Sequence, residues 1–159
     1  MSEVTVEQRA NCYVETVKHI RLVASILQAV AAELLRRAAA HDESKLEPPE
    51  FEMFAEYTSK LAGVTYGSAE YEEFRRAMGP ALAHHYAKND HHPEHFKDGV
   101  NDMNLVQLVE MLCDWRASST RHNDGNIRKS IEVNATRFGI GHQLARILEN
   151  TVPFLETVS

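Results

Sequence analysis

The spacing of apolar residues predicts that this chain is helical along most of its length. Between residues 5 and 38, apolar side chains recur at alternating steps of four and three, the period of one helical face. This stripe consists of Val6, Ala10, Tyr13, Val17, Ile20, Ala24, Leu27, Ala31, Leu34 and Ala38. Because the pattern is longer than an ordinary globular helix, we expect a break within it.

Helical patterns continue through the rest of the chain, and no segment shows the alternation of a strand. Residues 87–101 have an irregular pattern, and Ser68 has the side chain of an N-cap. Further helices are predicted after Pro48-Pro49, from Ala69 to Tyr86 with an interruption at Gly79-Pro80, from Met103 to about Ser119, from Ile127 to Phe138, and from Gly141 to Asn150. The pattern therefore predicts an all-α fold, a single-domain bundle of about five to seven helices over residues 1–159.

Composition narrows the class of protein. The chain has 159 residues, of which 43% are apolar and 25% charged, as in a globular domain. The net charge of -6 disfavours nonspecific binding to nucleic acid. Cys12 and Cys113 form no disulfide framework, no apolar run reaches the ~18 residues of a membrane span, and the N-terminus lacks signal-peptide features. We expect a cytoplasmic protein without a membrane partner, and the oligomeric state, a homo-oligomer included, stays open.

Histidine is the unusual residue of this sequence. Of the nine histidines, five lie between residues 84 and 95. His41 and Asp42 follow a run of three alanines, and Lys45 comes three residues after Asp42. An imidazole and a carboxylate are good ligands for a divalent transition metal. The alternative for His41 is a helix C-terminus, where a histidine interacts favourably with the helix dipole.

Asp114 and His19 extend the candidate metal site. Asp114 lies in an apolar helical pattern between Cys113 and Trp115, where an unpaired buried carboxylate is costly unless a cation meets it. His19 lies at the edge of the first apolar stripe. Each residue has a plainer alternative: an interior histidine for His19, and an exposed carboxylate or a partner of an arginine for Asp114. Taken together with His41 and Asp42, they predict a metal site.

The order His19, His41-Asp42, Asp114 resembles the H…HD…D signature of the HD-domain superfamily of metal-dependent phosphohydrolases. The segment from His41 to Lys45 also resembles the HDxxK form of the HD-GYP branch. This resemblance implies an all-helical bundle in which these four residues hold a divalent metal. Over nearly its whole length the chain further resembles an uncharacterised family of bacterial and phage proteins, in stretches that include Val17-Lys18-His19-Ile20, His41-Asp42-Glu43-Ser44-Lys45, Thr65-Tyr66-Gly67-Ser68 and Glu110-Met111-Leu112-Cys113-Asp114-Trp115.

The histidine-rich segment is similar in layout to a second HD-GYP segment, in which paired histidines help to bind a second metal. By that resemblance His84 and His85 are predicted ligands of a second ion, with Asp42 as the bridge. Tyr86 replaces the glutamate of that branch and its glycines are missing, so its cyclic-dinucleotide substrate is not implied. The alternative is a surface loop with incidental metal affinity.

The function that we expect is hydrolysis of a nucleotide or another small phosphate ester by a metal-activated water. The metal would be one or two ions of Mn, Fe, Co, Ni or Zn. Lys45 would neutralise charge on the phosphoryl oxygens, and a histidine would protonate the leaving oxygen. The predicted proton donors are His91, His92 and His95, and the predicted substrate contacts are Lys45, His91, Arg116, Arg121, His122 and Lys129.

Two other functions stay open from the sequence. Some relatives with the HD fold hold two irons and activate dioxygen, and the histidine-rich segment would suit that chemistry. A metal-containing binding module without turnover is the third hypothesis. Phosphate release without oxygen favours the hydrolase, oxygen consumption with iron favours the oxygenase, and metal occupancy without hydrolysis favours the binding module.

Overall fold

The protein is all-α, as the apolar spacing predicts. The computed structural model describes residues 3–65, 68–121 and 125–157, and these ranges contain seven α-helices and no strand. The helices are α1 (Val6–Ala40), α2 (Glu50–Ala62), α3 (Ala69–Ala77), α4 (Gly79–Lys88), α5 (Leu105–Ser119), α6 (Ile127–Phe138) and α7 (His142–Leu155). Short 3-10 turns lie at Glu43–Leu46, Pro93–His95 and Gly99–Asp102.

Local side chains start and end several of these helices. Ser68 Oγ accepts the backbone N–H of Tyr71 at 3.1 Å, so the predicted N-cap of α3 is confirmed. Asn104 caps α5, and Gln107 Oε1 accepts the Asn104 backbone N–H in return, which completes a capping box. Helix α6 ends at Gly139, whose φ of 63° lies in the left-handed region that glycine adopts without steric penalty.

Two predicted boundaries differ from the structure. The expected break in the first helix is wrong, because α1 runs without interruption and contains neither glycine nor proline. Helix α7 extends to Leu155, beyond the predicted end at Asn150. The predicted interruption at Gly79-Pro80 is confirmed, since Pro80 occupies the first turn of α4, where a missing N–H breaks no helical hydrogen bond.

The chain divides into two compact units, Met1–Ala39 and Ala40–Ser159. The first unit consists of most of α1, which has no buried residue. The core of the second unit joins α5, α6 and α7 and comprises Met111, Leu112, Trp115, Ile127, Ile131, Leu148 and Val152. The predicted single domain over residues 1–159 stays a prediction, because the contacts define each unit separately.

Helices α2 and α4 and the turn at Glu43–Leu46 pack together in the second unit. The ring of Phe54 on α2 meets the ring of His85 on α4 edge to face, with centroids 5.8 Å apart. These contacts bring the histidine-rich segment of the chain beside the turn that follows His41 and Asp42. In the described part of the chain, no helix combines the length and the apolarity needed to cross a membrane.

Candidate metal centre

Three overlapping groups of imidazole and carboxylate side chains lie in the second unit. In each group the ligand atoms are within 4.8 Å of one another, close enough to hold a metal ion. The groups are Asp42 with His85, His91 and His92, then His41 with His91 and Glu110, and finally His41 with Asp42 and Asp114. We call their members the histidine–carboxylate cluster: His41, Asp42, His85, His91, His92, Glu110 and Asp114.

Separate elements of the fold supply the cluster. His41 and Asp42 precede the turn at Glu43–Leu46, and the left-handed backbone of Asp42, with φ 59°, redirects the chain there. Aspartate adopts this conformation more readily than most residues. His85 comes from α4, His91 and His92 follow that helix, and Glu110 and Asp114 lie one turn apart on α5.

Asp42 lies at the centre of the cluster. Its Oδ1 atom is 3.4 Å from His85 Nε2 and 3.5 Å from His91 Nε2. Its Oδ2 atom is 3.4 Å from His41 Nε2 and accepts a hydrogen bond from Lys45 Nζ at 2.5 Å. Three imidazoles therefore direct their Nε2 atoms toward one carboxylate.

Two carboxylates outside that centre hold the opposite ring nitrogens. Glu110 Oε1 lies 2.8 Å from His41 Nδ1 and 3.2 Å from His91 Nδ1. Glu50, which is fully buried, places Oε2 2.8 Å from His85 Nδ1. A carboxylate accepts a hydrogen bond from Nδ1–H, so the lone pair of each Nε2 faces the centre. Histidines that bind metals are oriented in this way by outer carboxylates.

Two buried atoms at the centre have no hydrogen-bond partner among the described residues. They are Asp42 Oδ1 and His91 Nε2. A buried polar atom without a partner costs about 1–3 kcal/mol, so native structures rarely leave two of them facing each other. A bound cation would satisfy both atoms, and the imidazole and carboxylate donors match a divalent transition metal.

The protonation states of the histidines agree with a ligand role. Burial, with the added repulsion of His91 and His85, lowers the pKa of His92 to about 2. Burial likewise lowers the pKa values of His85 and His91. All three imidazoles are therefore neutral near pH 7, which is the form that binds a metal. Burial opposes ionisation of Asp42, but the charge and hydrogen bond of Lys45, together with the charges of His41 and His85, outweigh burial and lower the pKa of this carboxyl.

A cavity of about 680 Å³ borders the cluster. Lys45, His92 and Asp114 are on its wall, so the cavity reaches the cluster directly. Three more cationic side chains, Arg121, Lys129 and Arg137, line it as well. The larger apolar and aromatic side chains of the wall are Leu46, Phe51, Phe54, Leu61, Tyr71, Tyr86, Trp115, Val133 and Phe138. A cavity of this volume, mostly apolar with a few polar groups, is typical of small-molecule sites.

The structure brings together part of the predicted metal ligands. His41, Asp42, His85 and Asp114 belong to the cluster. His84 does not belong to any of the groups, and its Nδ1 atom lies 2.7 Å from Glu50 Oε1. His19 lies on α1 in the first unit, which is described separately from the second, so its role as a ligand stays a prediction.

Only some of the residues predicted for catalysis and substrate binding lie in the cluster or on the cavity wall. His91 and His92 lie within the cluster, whereas His95 is exposed and its Nδ1 atom hydrogen-bonds the carbonyl of Tyr86 at 2.8 Å. Lys45, Arg121 and Lys129 line the cavity, but Arg116 does not. His122 lies outside the described residues.

Sequence reasoning missed Glu50 and Glu110. Glu110 had a usable signal, because it precedes Asp114 by four residues and so shares its helical face. Glu50 had none, since an acidic residue in the first turn of a helix is ordinary and its contact with His85 exists only in the folded chain.

Comparison with known proteins identifies a family whose function is unknown. A model described as a family of unknown function (DUF5662) matches residues 8–158. No curated protein and no solved structure matches the chain.

Proposed function

Since the chain belongs to the DUF5662 family, whose function is unknown, we propose its function from the geometry of its site. The protein is a metal-dependent phosphohydrolase that acts on a nucleotide or another small phosphate ester. The observation that carries this proposal is the junction of the histidine–carboxylate cluster with a cavity that has cationic side chains on its wall.

The cluster would hold one or two divalent ions. Its nitrogen and oxygen donors suit Mn, Fe, Co, Ni or Zn. A bound ion of this kind supplies hydroxide near neutral pH and stabilises the charge of a phosphoryl group. Glu50 and Glu110 keep the imidazoles in the orientation and tautomer that this binding needs. The predicted ligand His84 is replaced in this proposal by His91 and His92.

The charges on the cavity wall would bind the phosphate. Lys45 lies where the cluster meets the cavity, with its ammonium group on Asp42. A fixed positive charge there stabilises negative charge on phosphoryl oxygens next to the cluster. Arg121 and Lys129 are exposed on the same wall and can contact the remainder of the substrate.

His92 takes a different role from the one that the sequence suggests. A proton donor at neutral pH needs a protonated imidazole, whereas burial lowers the pKa of His92 to about 2. Its Nε2 atom lies 2.9 Å from His85 Nε2, inside the cluster. We therefore assign His92 to metal binding and not to proton donation.

A phosphate-release screen tests the function. Metal-loaded protein is incubated with nucleoside mono-, di- and triphosphates and small phosphomonoesters. The matched pair of variants is Lys45→Ala, on the cavity wall, and Lys88→Ala, which lies outside it beside His84. We expect Lys45→Ala to release phosphate ~10²-fold more slowly with unchanged metal content. Lys88→Ala should keep both the wild-type rate and the wild-type metal content.

Other outcomes would replace the proposal. Absence of phosphate release from the whole panel, or full turnover by Lys45→Ala, would refute it. Oxygen consumption by the iron-loaded protein would favour the oxygenase. Stoichiometric metal with neither activity would favour a binding module.

A further inference from the structure

The second half of α5 and most of α6 form one wall of the cavity. Residues four positions apart line it, Asp114 and Ser118 on α5 and then Lys129, Val133 and Arg137 on α6, so each helix turns one face to the cavity. The two helices pack against each other and are joined by residues 120–126 alone. A connection this short makes neighbouring helices antiparallel, so the end of α5 lies beside the start of α6.

One end of this wall meets the histidine–carboxylate cluster. On α5 the contact is direct, because Asp114 belongs to the cluster. On α6 it is made by Arg137, whose Nη2 atom donates a hydrogen bond to Glu94 Oε1 at 2.7 Å. Glu94 follows the cluster member His92 by two residues, so the last turn of α6 lies beside the segment that carries His92.

The opposite end of the wall carries two cationic side chains, Arg121 and Lys129. Arg121 follows Asp114 by seven positions, and Lys129 precedes Arg137 by eight. At 1.5 Å per residue both helices therefore place these cations about 10–12 Å from the cluster end. On the described part of both helices, the lining residues between the two ends are uncharged.

The cations at the two ends differ in whether the protein neutralises them. Arg137, at the cluster end, pairs with Glu94. Arg121 and Lys129 have no carboxylate partner among the described residues. The chain as a whole has a net charge of -6, so a basic composition does not explain two such cations at one end of a cavity. Positive charge on the wall of a cleft attracts an anionic group of the ligand.

We propose that the substrate carries two phosphate groups at opposite ends of its frame, and that Arg121 and Lys129 bind the one that does not react. This assignment rests on the proposed phosphohydrolase function and narrows its substrate class. Water adds across one P–O ester bond at the cluster, which releases inorganic phosphate and an alcohol that still carries the second phosphate. A guanidinium and an ammonium group bind that phosphate by charge-assisted hydrogen bonds.

The separation of the two phosphates defines this class. The phosphorus atoms of a diphosphate share one oxygen and stay close together, whereas a bisphosphate holds them at two ends of a sugar. The wall between the cluster and the cations suits a sugar, because it combines the hydroxyl groups of Ser118 and Ser130 with the apolar Val133. A cavity of about 680 Å³ is large enough for a ligand of this size.

Three adenosine nucleotides test the class on metal-loaded, full-length protein. They are the 5′-monophosphate, the 5′-diphosphate and the 3′,5′-bisphosphate, of which the last two have equal numbers of phosphates at different separations. We expect kcat/KM for phosphate release from the bisphosphate to exceed both others by about tenfold or more. Glucose 6-phosphate and glucose 1,6-bisphosphate repeat the comparison on a second frame.

Matched variants assign the preference to this end of the wall. Lys129→Glu should reduce the preference for bisphosphate over monophosphate by about tenfold, and Lys129→Arg should retain it. Arg128→Glu is the control, since Arg128 is exposed beside Lys129 but does not line the cavity. This variant makes the same change in net charge and should keep the wild-type preference. Equal effects of the two glutamate variants would show attraction by overall charge and overturn the proposal.

The outcomes separate this proposal from the proposed function. Hydrolysis of monophosphates with no preference for separated phosphates on either frame would overturn the substrate class and leave the phosphohydrolase standing. Phosphate release from none of the compounds would refute the phosphohydrolase. In that case calorimetric titration with adenosine 3′,5′-bisphosphate decides: binding weakened by Lys129→Glu but not by Arg128→Glu would support the anion-binding end, and equal binding would refute it.

Discussion

Asp42 Oδ1 and His91 Nε2 lie 3.5 Å apart, both buried and both without a hydrogen-bond partner among the described residues. With a neutral imidazole whose Nδ1–H is held by Glu110, both facing atoms are acceptors, so neither can donate to the other. A cation between them would remove this conflict. The predictions below follow from the residues around this pair.

Removing the metal should lower the melting temperature. A ligand that binds only the folded state stabilises it, by about 2.7 kcal/mol at a hundred times its dissociation constant. We expect a fall in the midpoint of thermal unfolding after chelation, and no effect of the chelator on the Asp42→Ala variant. An unchanged midpoint in wild-type protein that metal analysis shows to be ion-free would contradict a structural role of the metal.

His85 and His84 should differ in their effect on metal content. His85 is 1% exposed and belongs to the cluster, whereas its neighbour His84 is outside the groups. His85→Ala should therefore lose bound metal, and His84→Ala should retain it, as measured by elemental analysis of untagged protein. Circular dichroism confirms that both variants are helical. Equal metal content in the two variants would remove His85 from the ligand set.

Glu50 should control metal affinity without touching the ion. Its Oε2 atom holds His85 Nδ1 at 2.8 Å, so Glu50→Gln weakens the orientation and basicity of that imidazole. We expect the dissociation constant for the metal to rise by about 10- to 100-fold in isothermal titration calorimetry. Glu47→Gln is the matched control, since Glu47 is exposed and three residues away. Equal affinities of both variants would show that Glu50 has no part in metal binding.

The metal-free protein should lose stability below pH 6.5. Burial lowers the pKa values of His85, His91 and His92 in the folded state, while the unfolded chain titrates near 6.5. The unfolded state then binds more protons, so the free energy of unfolding falls as the pH falls, by up to about 1.4 kcal/mol per pH unit for each histidine. The pKa values of Asp42 and Glu50 are lowered from 3.8 and 4.5, so their contributions are lost only at lower pH.

Urea unfolding at pH 7.5 and pH 5.5 measures this effect. We expect a lower midpoint at pH 5.5, a smaller difference for His92→Gln, and an unchanged difference for His95→Gln, whose side chain is exposed. Stability that is constant or higher at pH 5.5 would show that the buried histidines accept protons without cost.

Local sequence determined the helices and part of the candidate site. Helical periodicity and capping act between residues a few positions apart, so the all-α fold, the Ser68 cap and the interruption at Gly79-Pro80 could be predicted. The pairing of His41 with Asp42 and the position of Asp114 in an apolar helix are equally local. The apolar stripe of α1 could also be predicted from the sequence, although the expected break was wrong because no helix-breaking residue occurs there.

Only the tertiary structure decided which side chains meet. Adjacent helical residues point about 100° apart, so packing of α2 against α4 directs His85 into the cluster and His84 away from it. Glu50 reaches His85 across 35 positions of sequence, a contact that no local pattern encodes. The irregular segment after α4 leaves His91 and His92 free of helical periodicity, and its path over the second unit brings both to Asp42.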